Sequence, residues 1–83
     1  MSHPTTIGQA VKMLEVEYTS ELSAIPREKY DEHVIGRFRK FVADCDRVLS
    51  NRKIAPSQAD RVMTYKILVE KEIEWFTKKS TRK

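Results

Sequence analysis

The sequence predicts an all-α protein that folds as an antiparallel three-helix bundle. Apolar residues recur every three or four positions in three successive stretches of the 83-residue chain, which is the repeat of an amphipathic helix. Pro26 and Pro56 separate these stretches, and the short connections force neighbouring helices to run antiparallel. We expect helices at about residues 6–25, 26–50 and 57–78. The alternative is a long hairpin of helices 2 and 3, with helix 1 docked on a partner protein.

The middle stretch, from Tyr30 to Leu49, is the one around which the fold is expected to form. At about 100° per residue, its apolar residues fall on one continuous arc of a helix. Phe38 and Phe41 lie near the middle of that arc, so two other helices can both contact them. Helix 2 is therefore predicted to be the central element, with a buried arc made of Tyr30, Val34, Ile35, Phe38, Phe41, Val42, Cys45, Val48 and Leu49.

Helix 1 is predicted to begin after Thr6, because Thr6 with Gln9 three residues later matches the capping-box pattern. It should end just before Pro26, since a proline disfavours the α conformation of the preceding residue. Met13 and Val16 lie off the apolar stripe of this helix. The stripe itself consists of Ile7, Ala10, Val11, Leu14, Tyr18, Leu22 and Ile25.

The remaining helix boundaries are predicted from prolines and polar caps. Pro26 suits the first turn of helix 2, and Asn51 is expected to end that helix in a left-handed conformation. Helix 3 should begin at Pro56 or Ser57, and Ser57 with Asp60 gives a second capping signature. Its apolar stripe consists of Ala59, Val62, Met63, Tyr65, Val69, Ile73 and Phe76.

Length and composition are typical of a small, charged helical domain. With 40% hydrophobic and 34% charged residues the chain is too apolar to be disordered. Its 83 residues make one domain, with a short N-terminal arm (1–5) and a basic C-terminal tail (78–83). A core this small is marginal alone, which favours assembly with a partner. The net charge of +4 favours acidic partners, nucleic acid among them.

The protein is expected to be intracellular and soluble. Its N-terminus lacks the apolar core of a signal peptide, and its one cysteine forms no intrachain disulfide. No apolar run is longer than three residues, whereas a membrane-spanning helix needs about 20. We therefore expect no membrane span.

An enzyme is not expected, because the sequence carries no nucleophile-and-base pattern and a bundle of this size has little room for a pocket. Its two glycines exclude a Gly-rich phosphate loop. His3, His33 and Cys45 lack metal-ligand spacing, and Cys45 is expected to be an unreactive core thiol. No catalytic residue, metal, cofactor or small-molecule substrate is therefore predicted.

The predicted function is that of a small non-enzymatic interaction module or accessory subunit, which binds another protein or a second copy of itself. Leu68 and Trp75 are seven residues apart on helix 3 and face away from its apolar stripe. Trp is among the residues most enriched at interaction hot spots, so this pair is predicted to anchor the partner. Met13 and Val16 are expected to add contact area.

A basic nucleic-acid-binding protein of the nucleoid or regulator type is the alternative function. Gly36 lies among cations on the outer face of helix 2, where the missing Cβ lets a phosphate backbone approach. A weaker alternative is a helical hairpin that acts as a chaperone for an amphipathic partner helix. The predicted nucleic-acid contacts are Lys29, His33, Arg37, Lys40 and Arg47 on helix 2, with Lys78, Lys79, Arg82 and Lys83 near the C-terminus.

Overall fold

The computed structural model describes residues 6–81 of the chain, and the side chains of residues 6–79. The predicted N-terminal arm (1–5) and the tail residues Arg82 and Lys83 lie outside that range. None of the helices within it is both long enough and apolar enough to cross a membrane.

Three α-helices and no strand are present in the described residues, so the predicted all-α three-helix bundle is confirmed. Helix α1 runs Ile7–Ser20, α2 runs Glu32–Leu49 and α3 runs Pro56–Thr81. Two 3₁₀ turns, Leu22–Ala24 and Arg27–Lys29, connect α1 to α2. At ~1.5 Å per residue the three helices are roughly 21, 27 and 39 Å long.

The N-terminus of α1 is capped as predicted, but its C-terminus comes earlier. The Thr6 hydroxyl accepts a hydrogen bond from the Gln9 amide at 3.2 Å, and the Gln9 side chain accepts one from the Thr6 amide. Near the other end, the Thr19 and Ser20 hydroxyls donate to the carbonyls four residues back. Helix α1 ends at Ser20 rather than before Pro26, and a 3₁₀ turn follows it at Leu22–Ala24.

The N-terminus of α2 lies six residues beyond the predicted one, because Asp31 caps it. The Asp31 carboxylate accepts a hydrogen bond from the Val34 amide at 2.9 Å. Pro26 lies outside α2 in an extended conformation, with φ −70° and ψ 149°. The placement of Pro26 in the first turn of this helix was therefore wrong.

The turn between α2 and α3 also differs from the predicted caps. No described residue has positive φ, so Asn51 is not left-handed, and its side chain instead accepts a hydrogen bond from the Lys53 amide. Helix α3 begins at Pro56, as predicted, but it continues to Thr81, so its predicted end at Lys78 was wrong and residues 78–81 of the predicted tail are helical. Its first turn is capped by Gln58, whose side-chain oxygen accepts from the Ala55 amide at 3.0 Å, rather than by a Ser57–Asp60 pair.

Helices α1 and α3 run in the same direction, with α2 antiparallel to both. Glu15 contacts Tyr65, and Arg27, further along the chain, contacts Glu72, further along α3. The first part of the chain is therefore parallel to α3. Polar contacts also join each pair of helices. Tyr65 on α3 donates a hydrogen bond to Glu15 on α1 at 2.9 Å, and Lys66 on α3 lies 2.7 Å from Asp46 on α2. Arg37 on α2 lies 2.6 Å from Glu21, the C-cap of α1. In this structure α1 therefore packs within the bundle, not away from it.

Helix α2 contributes the centre of the core, as predicted. Phe38 and Phe41 are each 1% exposed, and every residue of the predicted arc is buried or partly buried. Met63 was wrongly assigned to the α3 stripe, because it lies about 100° around the helix from buried Val62 and is 42% exposed. The buried core of the described residues consists of Val11, Leu14, Leu22, Ile35, Phe38, Phe41, Cys45, Val62 and Val69.

Candidate partner-binding groove

An open groove of about 690 Å³ runs between α1 and α2. Two exposed apolar side chains, Met13 and Val16, lie on its α1 wall. Both were predicted to lie off the helix 1 stripe, and the structure leaves Met13 65% and Val16 48% exposed. The groove is lined by Ala10, Lys12, Met13, Leu14, Val16, Glu17 and Glu21 on the α1 side, and by Asp44, Arg47 and Val48 on α2.

Helix geometry explains why these two side chains are left outside the core. Val11 and Leu14 point into the bundle and are each 5% exposed. Met13 lies about 100° around the helix from Leu14, and Val16 about 200°. Neither side chain can therefore point into the core together with Leu14. The groove floor thus joins exposed apolar surface on α1 to half-buried Val48 on α2.

Charged residues border the groove on both walls. Glu21 accepts a hydrogen bond from Arg37 at 2.6 Å, and Arg47 lies 3.8 Å from Asp44. Lys12 and Glu17 form no ion pair within the described part of the chain. Two rim charges on α1 are therefore available to a bound partner.

Trp75, a predicted partner anchor, is packed against residues of its own chain. Its ring meets the Tyr30 ring edge to face, with centroids 5.8 Å apart at 82°. The Arg27 guanidinium lies 4.8 Å and the Lys79 ammonium 5.0 Å from the ring centroid, both within cation–π range. The indole is left half-buried, so much of its surface is already used inside the molecule.

A hydrogen-bonded cluster holds the residues that cover Trp75. Arg27 donates two hydrogen bonds to the Glu72 carboxylate, at 2.9 and 3.0 Å, and Tyr30 donates a third at 3.1 Å. The bond from Arg27 lowers the pKa of Glu72, whereas burial raises the pKa of Tyr30 to about 12. We call Arg27, Tyr30, Glu72 and Trp75 the tryptophan latch, which ties the α1–α2 connection to α3.

The tryptophan latch was missed at the sequence level. Arg27 and Glu72 are 45 positions apart, and neither lies in a pattern that marks a long-range pair. The one signal in the sequence was Trp75 itself, a large aromatic residue that lies off the apolar stripe of helix 3. The predicted partner residues therefore occupy two places, since Leu68 (38% exposed) and Trp75 lie on α3 and line no part of the α1–α2 groove.

The predicted nucleic-acid contacts do not form one free cationic row. Lys29, His33 and Lys40 are exposed on or before α2, and a methyl group at Gly36 would meet no atom within 4 Å. In contrast, Arg37 and Arg47 pair with acids as described above. In the last turns of α3, Lys78 lies 3.9 Å from Glu74 and Lys79 stacks on Trp75, while Arg82 and Lys83 lie outside the described residues.

Cys45 lies in the core, where its thiol is inaccessible to solvent. It is 0% exposed, and burial raises its pKa to about 12, so the thiolate is not populated at neutral pH. Within the described range no three His, Cys, Asp or Glu side chains come together as metal ligands. His33 is exposed on α2, and His3 lies outside the described residues.

Comparisons of this chain with protein-family models, with curated proteins and with solved structures find no match. Proposals about its function therefore rest on the contacts, exposure and charge of its own residues. In the α1–α2 groove, exposed apolar side chains of α1 lie beside charged residues that form no ion pair among the described residues.

Proposed function

We propose that the protein is a non-enzymatic interaction module, or accessory subunit, that binds an amphipathic helix of a partner protein in the α1–α2 groove. The observation that carries this proposal is the exposure of Met13 and Val16 on one wall of that groove. Large apolar side chains that border a concave surface are typical of interaction sites.

A helix is the partner element that best suits this surface. The groove is formed by two antiparallel helices, and a third helix laid along it would extend the packing that α3 provides on the other side. Partner side chains at positions i, i+3, i+4 and i+7 would reach Met13, Val16 and Val48. Met suits such a role, because its flexible thioether adapts to differently shaped partners.

The proposal gives the other two predicted anchors different roles. Because the ring of Trp75 is covered by Tyr30 and Arg27, we assign it to stabilising the fold. Leu68 is exposed on α3, on a different face from the groove, so one straight helix would not contact it together with Met13.

Site-specific photocrosslinking in the protein's own cells tests the proposal. A benzoylphenylalanine at position 13 should form an adduct with a defined partner protein, because that side chain lies in the groove. Position 63 is the matched control, since Met63 is also an exposed methionine but lies on α3. The adduct at position 13 should disappear when Val16 is also replaced by Glu.

Three results would contradict the proposal. The absence of any adduct from position 13 would remove the groove as a binding site, and equal adducts from positions 13 and 63 would show non-specific contact. An adduct made of two copies of this chain would replace the partner protein by self-association.

Nucleic-acid binding is retained as a second candidate because of one observation. Lys29 and Lys40 are exposed and form no ion pair in the described part of the chain, and open space surrounds Gly36. If phosphates bind there, Lys40→Gln should weaken the binding of duplex DNA or RNA and reduce the salt slope by about one unit. Lys53→Gln, an exposed lysine beyond α2, is the control, and no binding by wild type near about 50 mM salt would reject this candidate.

A further inference from the structure

We infer that the partner helix lies antiparallel to α1, with its N-terminal end beside Glu17 and Glu21 and its C-terminal end beside Lys12 and Arg47. This inference rests on the proposed function and adds the direction and charge pattern of the bound helix. It follows from the way the charges are distributed along the groove.

One end of the groove is acidic. Glu17 lines it without an ion-pair partner among the described residues, and Glu21 follows one turn later. Glu21 is shared with Arg37, whose guanidinium lies 2.6 Å from it, so Glu17 is the acid at this end that has no ion-pair partner among the described residues.

The other end of the groove is basic. Arg37 on α2 lies beside Glu21 at the C-terminal end of α1. Because α2 is antiparallel to α1, Arg47 lies ~15 Å from Arg37 toward the N-terminus of α1, close to Lys12 along the helix axis. The Arg47 side chain is 80% exposed and only loosely paired, 3.8 Å from Asp44 near the middle of the groove. Lys12 has no ion-pair partner within residues 6–79 and is exposed.

The dipole of a bound helix interacts with the acidic and basic ends of the groove. Its N-terminus carries a partial positive charge and its C-terminus a partial negative one. Placing the N-terminus beside Glu17 and the C-terminus beside Lys12 makes both ends favourable, whereas the reversed direction makes both unfavourable. Basic side chains in the first turns of the partner helix and acidic ones in the last turns strengthen the same preference.

Two synthetic peptides test the inference. Both have about 14 residues, ~21 Å of helix, with leucines at i, i+3, i+4 and i+7 to fill the groove. The N-basic peptide carries its lysines in the first turns and its glutamates in the last, and the N-acidic peptide has the opposite order. Hydrocarbon staples bring both to equal helicity, checked by circular dichroism, because charge order alone would otherwise change helix stability.

The wild-type protein should bind the N-basic peptide about fivefold to tenfold more tightly than the N-acidic one. A nitroxide on the N-terminus of the N-basic peptide should broaden the amide signals of Ser20 and Glu21 rather than that of Gln9. Equal affinities, a preference for the N-acidic peptide or broadening at Gln9 would overturn the inference.

The double variant Lys12→Glu, Glu17→Lys supplies the matched control, because it reverses the α1 rim while keeping composition and net charge. It should bind the N-acidic peptide at least as well as the N-basic one. It also places the acid near the N-terminus of α1 and the base near its C-terminus, which suits the α1 dipole, so unfolding is not expected to cause the change. An unchanged preference for the N-basic peptide would show that the rim does not set the direction.

Failure of this inference is distinguishable from failure of the proposed function. If both peptides bind wild type equally, and Val16→Glu abolishes both interactions, the groove binds helices but does not orient them. If neither peptide binds, the inference is rejected, and the photocrosslink from position 13 still decides separately whether the groove binds a partner protein.

Discussion

Among the apolar residues outside the predicted helix stripes, Trp75 on α3 and the pair Met13 and Val16 on α1 have different surroundings. Trp75 on α3 is covered by Tyr30 and Arg27, which reach it from the connection between α1 and α2. Among the described residues no such segment covers Met13 and Val16 on α1, which are 65% and 48% exposed. Trp75 is therefore covered within the chain, whereas Met13 and Val16 remain exposed.

The difference comes from where the neighbouring segments of the chain run. Trp75 is covered because the connection to α2 continues past α1 in two 3₁₀ turns and places a bidentate arginine over α3. Beside Met13 the groove opens directly between two helices, and its residues come only from α1, its C-cap and α2. The exposure of an apolar residue that lies off a helix stripe thus depends on where the next segment of the chain runs.

The largest effect is expected in the core beneath the tryptophan latch. Phe38→Ala should reduce the free energy of unfolding by about 3–5 kcal/mol, because the ring is 1% exposed and packs at 5.1 Å against Tyr30. Phe41→Ala, equally buried but next to Tyr18, should cost a similar amount. Thermal and urea melts measure both, and wild-type stability in either variant would show that α2 is not the central helix.

Trp75→Ala tests whether the covered feature contributes to folding. It should cost about 1.5–2.5 kcal/mol, near half the loss for a fully buried aromatic, because the ring is half-buried. Leu68→Ala, on the same helix but exposed, should change stability by less than about 0.5 kcal/mol. Trp75 is the chain's one tryptophan, and its emission should be blue-shifted in a dilute monomer. Red-shifted, readily quenched emission would contradict the packed ring.

Glu72→Gln tests the hydrogen-bonded part of the tryptophan latch through its pH dependence. Because Arg27 lowers the pKa of Glu72 below its ordinary 4.5, this carboxylate stabilises the fold at neutral pH, and the contribution is lost as the pH falls through that range. The variant should therefore melt about 3–5 °C lower than wild type near neutral pH. The difference between the two melting temperatures should shrink as the pH falls below 4.5, because Glu72 then becomes protonated in the folded protein as well. A constant difference across this range would show that Glu72 acts through packing alone.

Gly36→Ala tests whether the outer face of α2 is as open as the groove beside it. The added methyl meets nothing within 4 Å, so the gain in helix propensity should raise the free energy of unfolding by about 0.5–1 kcal/mol. A loss of stability in chemical denaturation would mean that another part of the chain approaches Gly36 closely.

Much of the fold was predictable because it depends on local periodicity. The apolar arc of helix 2 and the capping box at Thr6 depend on residues a few positions apart, and both are present. The displaced positions of Met13 and Val16 follow from the same geometry, so half of the candidate site could be predicted. The boundary near Pro26 was misplaced because Asp31 is the stronger cap, a competition that proline spacing alone does not resolve.

The features that could not be predicted depend on contacts between segments that are distant in sequence. The contact between Arg27 and Glu72 arises only once the connection has folded back on α3, and no local pattern specifies it. For the same reason the second wall of the groove, with Asp44 and Val48, could not be paired with Met13 from the sequence. The environment of Trp75 therefore required the structure, because the residues that cover it are distant in sequence.

The most direct test of the account is the double variant Met13→Ser, Val16→Ser, with folding and binding measured on the same sample. The account predicts a free energy of unfolding within about 0.5 kcal/mol of wild type, because neither side chain is buried. It also predicts at least about tenfold weaker binding of the N-basic peptide, measured by calorimetry. The control variant Met63→Ser, Ile67→Ser removes similar exposed surface from α3, outside the groove, and should bind the peptide like wild type. Unchanged peptide affinity in the groove variant, or an equal loss in the control, would contradict the claim that this groove is the docking surface.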